Sequence, residues 1–206
     1  ANNSWQLESM MLGAVNAGTS RTIELDVEAP NADGSYDIRT KLNNDNGPNS
    51  YGHSAYKTST LIVDGTEPGL VGSLSSSHVS GGWSNDVSVD YSWSAATDNL
   101  SGVDGYGLYT TGSDSRPGNT KDIEEVTSYN ETLAEGSWHF NISTVDNSGN
   151  WSVSHESYGP IGIDTTQPGV VTNLTSSTHS SRSTSSNHDI TFNWTAASDS
   201  LSGIDG

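Results

Sequence analysis

The stretch "VDYSWSAATDNLSGVDG", Val89–Gly105, decides how this chain is read. Its first half alternates: Val89, Tyr91 and Trp93 are apolar, while Asp90 and Ser92 between them are polar. Val87 and Ser88 extend the pattern backwards. A period of 2 places successive side chains on opposite faces of a strand, so this reads as a half-buried antiparallel strand. Its second half is rich in Asp, Asn, Ser and Gly and reads as a turn. The phrase returns as "ITFNWTAASDSLSGIDG", Ile190–Gly206, at an offset of 101.

Two more pairs extend the match. "VDGTEPGLVGSL" from Val63 returns as "IDTTQPGVVTNL" from Ile163, at an offset of 100. "GSYDIRTKLNNDNG" from Gly34 returns as "GSWHFNISTVDNSG" from Gly136, at an offset of 102. A period near 100 residues is the size of a β-sandwich and well above the 20–50 residues of solenoid repeats. The expected division is an Ig-like module over 1–63, whose C-terminal part matches the repeat, a complete module over 64–163, and the first part of a third over 164–206. The Asp-x-Thr-x-Pro stretches Asp64–Pro68 and Asp164–Pro168 are the linkers, stiffened by prolines of fixed φ.

Within the complete repeat, Trp138, Phe140, Ile142 and Thr144 read as inward, and His139, Asn141 and Ser143 as outward. "SGGWSND", "TGSDSRPGN" and "DNSGN" separate the strands. "KDIEEV" is too short to count as a helix. The fold class is all-β, as tandem antiparallel β-sandwiches.

Composition narrows the function classes. The 206 residues carry 7 Lys+Arg against 25 Asp+Glu, a formal net charge of −18. Such a chain repels phosphate backbones and anionic headgroups, so neither nucleic acid nor direct membrane insertion is expected. There is no cysteine, which removes disulfides, thiolate metal sites and thiol nucleophiles. No apolar run approaches the 18 residues of a membrane span. Hydrophobic residues make up only 31%, yet six Trp and eight Tyr argue against disorder.

Taken together, Trp93 closing the second strand in "VDYSWSAATD", the run "LAEGSWHFNISTVDNSGNWS" and the linker "YGPIGIDTTQP" resemble fibronectin type III and bacterial Ig-like modules. These occur in tandem on secreted and surface proteins of bacteria and archaea. A tyrosine usual in fibronectin type III modules is Trp138 here, whereas Tyr36 keeps it. The resemblance covers 64–163 well and 34–63 and 164–206 in part, and it fits 1–33 poorly. It is specific for fold and weak for activity, because sandwiches host many functions.

Calcium is the cofactor this resemblance implies. D-x-x-G-N loops and D-T-x-x-P linkers of similar adhesin repeats hold it between modules, which puts Asp146, Asn147 and Asp164 on one site. In the first module Asn44 replaces the loop carboxylate, leaving Asp45 and Asp64. The residues themselves offer a second candidate, "DNLSGVDG" with Asp98 and Asp104, since hard cations take carboxylate and backbone oxygens from short loops. Asp, Asn and Gly are equally ordinary turn formers. Among several N-x-S/T sequons, Asn99, Asn130, Asn141 and Asn193 are the glycosylation candidates, with Asn141 and Asn193 on outward strand phases.

No pattern for catalysis stands out. The six histidines form no H-E-x-x-H motif, and there is no Gly-x-Ser-x-Gly elbow or phosphate-binding loop. Trp83, Trp151 and Tyr109 fall where they could form a sugar platform, or pack at a module joint. The third repeat stops after about two strands, so the chain reads as a piece of a longer array, or as one whose open end another copy completes head to tail.

The expected function is a non-catalytic, acidic structural segment of an extracellular or cell-surface protein: a stalk, fibre or adhesin whose partners are neighbouring modules. Two alternatives are a carbohydrate-binding or spacer region accessory to a secreted hydrolase, and a subunit of a surface layer or filament that self-associates.

Overall fold

The computed structural model describes residues 22, 28–40 and 57–205. Among them there is no helix, and none long and apolar enough to cross a membrane. The all-β expectation holds. The described residues form twelve strands in four sheets, antiparallel apart from one short parallel pairing.

Two of these sheets share one core. The first joins β3 (Gly72–Ser76), β5 (Ser88–Ser94) and β8 (Ser128–Thr132) in the order β3-β5-β8. The second runs β4-β10-β9-β6-β7, from β4 (Trp83–Ser84), β10 (Glu156–Ile163), β9 (Gly136–Asp146), β6 (Val103–Thr111) and β7 (Ile123–Glu124). β5 alternates as its sequence requires, with Val89, Tyr91 and Trp93 buried and its serines exposed. From the facing sheet come Tyr106, Phe140, Ile142, Ile161 and Ile163, all at most 1% exposed. The Tyr91 and Phe140 rings stack 3.9 Å apart across the gap, and Trp93 meets Tyr106 edge to face at 5.7 Å. This arrangement is consistent with a β-sandwich.

β9 departs from strict alternation. Every residue from Phe140 to Asp146 is buried, so Asn141 and Ser143 do not face solvent. A loop folds over the outer face of β9: Ser115 N–H donates to Asn141 Oδ1 at 3.1 Å, and the Arg116 guanidinium reaches the Ser152 carbonyl at 2.7 Å. Trp151 closes the same face over Gly107, where an added Cβ would come 2.9 Å from the indole.

The other two sheets are antiparallel pairs: β1 (Gly34–Thr40) with β2 (Lys57–Val63), and β11 (Thr172–Ser176) with β12 (Phe192–Thr195). The latter rebuilds the β3–β5 pair. Gly72↔Ser94 and Ser75↔Ser92 in one correspond to Thr172↔Thr195 and Thr175↔Asn193 in the other. Each carries a register shift there, and Ser73 and Asn173 share a positive φ of 51° and 54°. The surroundings differ. Tyr91 and Trp93 are buried, whereas Phe192 and Trp194 are 55% and 57% exposed.

The described residues from Asn31 onward belong to one compact unit. The expected boundaries beside Asp64 and Asp164 lie inside this unit, because hydrogen bonds cross them. Gly65 N–H donates to Asp33 at 2.9 Å, and Thr165 N–H donates to Glu135 at 3.1 Å.

Candidate functional site: carboxylates at the linker

Each Asp-x-Thr-x-Pro stretch, expected as a linker, begins with an aspartate whose side chain turns back on the chain. Asp64 Oδ1 accepts the Thr66 N–H at 3.1 Å, and its Oδ2 accepts the Ser101 N–H at 3.0 Å. The Ser101 hydroxyl lies against the same carboxylate, shut off from water but outside ordinary hydrogen-bond geometry. Ser101 is the main reason that Asp64 titrates below the usual carboxylate range; the Thr66 N–H adds to it. Asp164 repeats the arrangement, accepting Thr166 N–H at 3.0 Å and Ser202 N–H at 2.9 Å. Ser202 lowers it in the same way. Glu135 is lowered by the Thr165 and Thr166 hydroxyls.

The loops that meet the Asp64 linker carry carboxylates of their own. Asp98 Oδ2 accepts the Leu100 and Gly102 N–H groups at 3.0 and 2.9 Å, closing the turn before β6. Asp146 ends β9 and is 1% exposed. Its Oδ1 accepts Ser148 N–H and Asn150 N–H, both at 2.8 Å, and its Oδ2 accepts the Asn150 side-chain amide at 2.8 Å. That amide also donates to the Asp64 carbonyl at 3.0 Å, tying the loop to the linker.

These turns bring Asp64, Asp98 and Asp146 together, each offering an oxygen within 4.8 Å of the others. Two oxygens bound to one calcium at 2.3–2.6 Å lie at most about 5.2 Å apart, so the spacing fits a shared hard cation. None of the ion pairs among the described residues compensates these three charges.

The other candidates fall elsewhere. Asp164 does not join Asp146 through its bonds; it serves the next linker, beside Ser202. Asn147 spends its amide on the Ser101, Gly102 and Val103 carbonyls. Asp104 pairs with Lys121 at 3.0 Å, which raises the lysine and occupies that carboxylate. Asp45 lies outside the described residues. The grouping of Asp98 with Asp64 was missed because 34 positions separate them and only the folded turn joins them.

Comparisons with protein-family models, curated proteins and solved structures give no match.

Among the glycosylation candidates, Asn99, Asn130 and Asn193 are exposed. Asn141 is a correction: it is fully buried, and its amide donates to the Tyr109 carbonyl at 2.8 Å. The polar residue of an alternating pattern points outward here too, but into the covering loop instead of water. Trp151 packs over Gly107, while Trp83 and Tyr109 stay 43% and 49% exposed.

Proposed function

We propose that this chain is a non-catalytic structural segment of an extracellular or cell-surface array of fibronectin type III/Ig-like sandwiches, with a repeat of about 100 residues. It acts as a stiff stalk or adhesin shaft, and its working parts are the joints. One observation carries the reading: the Asp–Ser brace recurs at the two linkers with the same donors and almost the same distances, 3.0 and 2.9 Å. A brace that fixes a linker against the following loop holds an angle; it offers nothing to a substrate. The order β3-β5-β8 facing β10-β9-β6-β7 supports the fibronectin type III resemblance.

Calcium at Asp64, Asp98 and Asp146 would offset two of the three negative charges at the joint and stiffen it. The test is thermal unfolding of the chain with calcium and with excess chelator. A melting temperature that rises with calcium concentration, and no longer does in Asp98→Asn, supports the metal-set joint. Equal curves would leave a joint held by hydrogen bonds alone.

A second reading has its own observation. The apolar face of β11–β12, with Leu174, Phe192 and Trp194 more than half exposed, favours a filament subunit in which another copy covers it. Sedimentation across a concentration series separates the two.

A further inference from the structure

The loop joining β3 to β5 is built around His78, which is 8% exposed with both ring nitrogens engaged: Nδ1 with Ser77 Oγ at 3.0 Å and Nε2 with the Asp86 carbonyl at 2.9 Å. The loop is fastened to β10 by Ser80 Oγ–H to the Gly159 carbonyl at 2.6 Å and Gly81 N–H to the Pro160 carbonyl at 2.7 Å. A groove of about 390 Å³ opens on it, lined by Trp83, Asp86 and Asp90 among serines.

Trp83 sits on this groove as a plate. An added Cβ on Gly162 would lie 2.5 Å from Cδ2 and 2.6 Å from Cε3, so one indole face rests on the bare backbone of β10. The side chain is nevertheless 43% exposed, so its other face is open. Asp86 uses Oδ1 for the Ser88 N–H at 2.9 Å, and Asp90 uses Oδ1 for the Asn130 amide at 2.9 Å. The second oxygen of each takes no hydrogen bond from the described residues.

The chain supplies its own comparison. Ser176–Thr191 rebuilds the loop: His179 bonds Thr178 Oγ1 at 3.1 Å and the Asn187 carbonyl at 2.9 Å. Asn187 N–H reaches Ser185 Oγ at 3.0 Å as Asp86 N–H reaches Ser84 Oγ at 3.0 Å. Thr191 N–H reaches Thr178 Oγ1 at 3.0 Å as Asp90 N–H reaches Ser77 Oγ at 3.0 Å. Yet Thr184 stands in the place of Trp83, Asn187 in that of Asp86 and Thr191 in that of Asp90. The histidine and the small hydroxyl residues are therefore what the loop needs in order to form. The indole and the two carboxylates are additional to it.

We propose that this groove binds a neutral pyranose unit of a polysaccharide. The sugar face stacks on Trp83, and its hydroxyls donate to the Asp86 and Asp90 oxygens. An open aromatic plate with a few convergent acceptors on a rigid loop is the chemistry that recognises a sugar ring. An adjoining groove of about 650 Å³ shares Ser77 and Asp90 and runs over Ser75, Ser92 and Ser128, giving room for neighbouring units. The net charge of −18 turns away anionic polymers. This goes beyond the spacer role and stands or falls apart from the joints.

The test is native affinity electrophoresis of the chain through soluble mixed-linkage glucan, galactomannan and arabinogalactan, with pectate as anionic and chitosan as cationic control. Retardation by at least one neutral polymer is expected. Trp83→Ala should weaken it by about tenfold or more, with Trp83→Tyr recovering part. The triple change Trp83→Thr, Asp86→Asn, Asp90→Thr copies the second loop and so keeps the hydrogen bonds that shape it. It should abolish retardation while the chain still unfolds cooperatively, at a melting temperature lowered by the lost Trp83 packing on Gly162 and the lost Asp90–Asn130 bond. No retardation by any neutral polymer overturns the proposal. So does retardation that the triple variant retains, or retardation by chitosan alone.

Discussion

The Asp64 carboxylate accepts the Ser101 N–H at 3.0 Å, 37 positions further along the chain. At the second linker Asp164 accepts Ser202 N–H at 2.9 Å, 38 positions on. Both carboxylates are ionised acceptors, so the braces respond to acid in a defined direction. Asp64 and Asp164 titrate below the ordinary 3.8, and Glu135 below the ordinary 4.5. A depressed folded-state value means that the unfolded chain takes up protons first. The stability these groups contribute is fully present above their ordinary values and is lost as pH falls through the folded ones. The melting-temperature difference between the wild type and the triple variant Asp64→Asn, Glu135→Gln, Asp164→Asn should be constant near neutrality and shrink below about pH 4. A difference that grows in acid would reverse the assignment.

Asp146 is a buried carboxylate satisfied by three N–H donors, two of them backbone. Asp146→Ala strands all three and should cost about 3 kcal/mol in urea unfolding. Asp146→Asn keeps an acceptor oxygen and should cost less than half as much.

Thr144 presents the opposite case. It is 0% exposed, and its hydroxyl has no hydrogen-bond partner among the described residues. Valine has nearly the same shape and no group to leave unpaired. Thr144→Val should raise stability by about 1 kcal/mol, read from the same urea midpoint.

Asn141 should stay bare when the chain is secreted from a glycosylating host, since a glycan on its amide would have to displace the bond to the Tyr109 carbonyl. Peptide mass spectrometry of the Asn99, Asn130, Asn141 and Asn193 sequons checks this. Asn141→Ala should cost about 2 kcal/mol for the loop contacts it abandons.

How much could be read from the chain follows from the range of each interaction. β5 was legible residue by residue, because its exposed face really meets water and the polar–apolar alternation records it. β9 was legible only on its core side. Its outer face is covered by residues 113–116, from a loop far away in sequence, and a polar residue covered by a polar loop looks like any exposed one. The linker aspartates were legible as turn residues, but their partners were not. Asp64 with Asp98, and Asp164 with Ser202, are long-range pairings that no local spacing encodes. The contrast between buried Trp93 and exposed Trp194 is likewise absent from two nearly identical phrases, because burial depends on what packs against them.

The Asp64 brace also bears on how the proposed stalk would carry load. Beyond Pro68 the backbone enters β3, an edge strand whose ladder partner among the described residues is β5. Tension delivered only through the backbone would peel that strand from the sheet one bond at a time. Through Ser101 the same linker is clipped to the turn that leads into β6, in the opposite sheet. In a stalk of the proposed kind, tension entering at Asp64 would then load both sheets together and not β3 first.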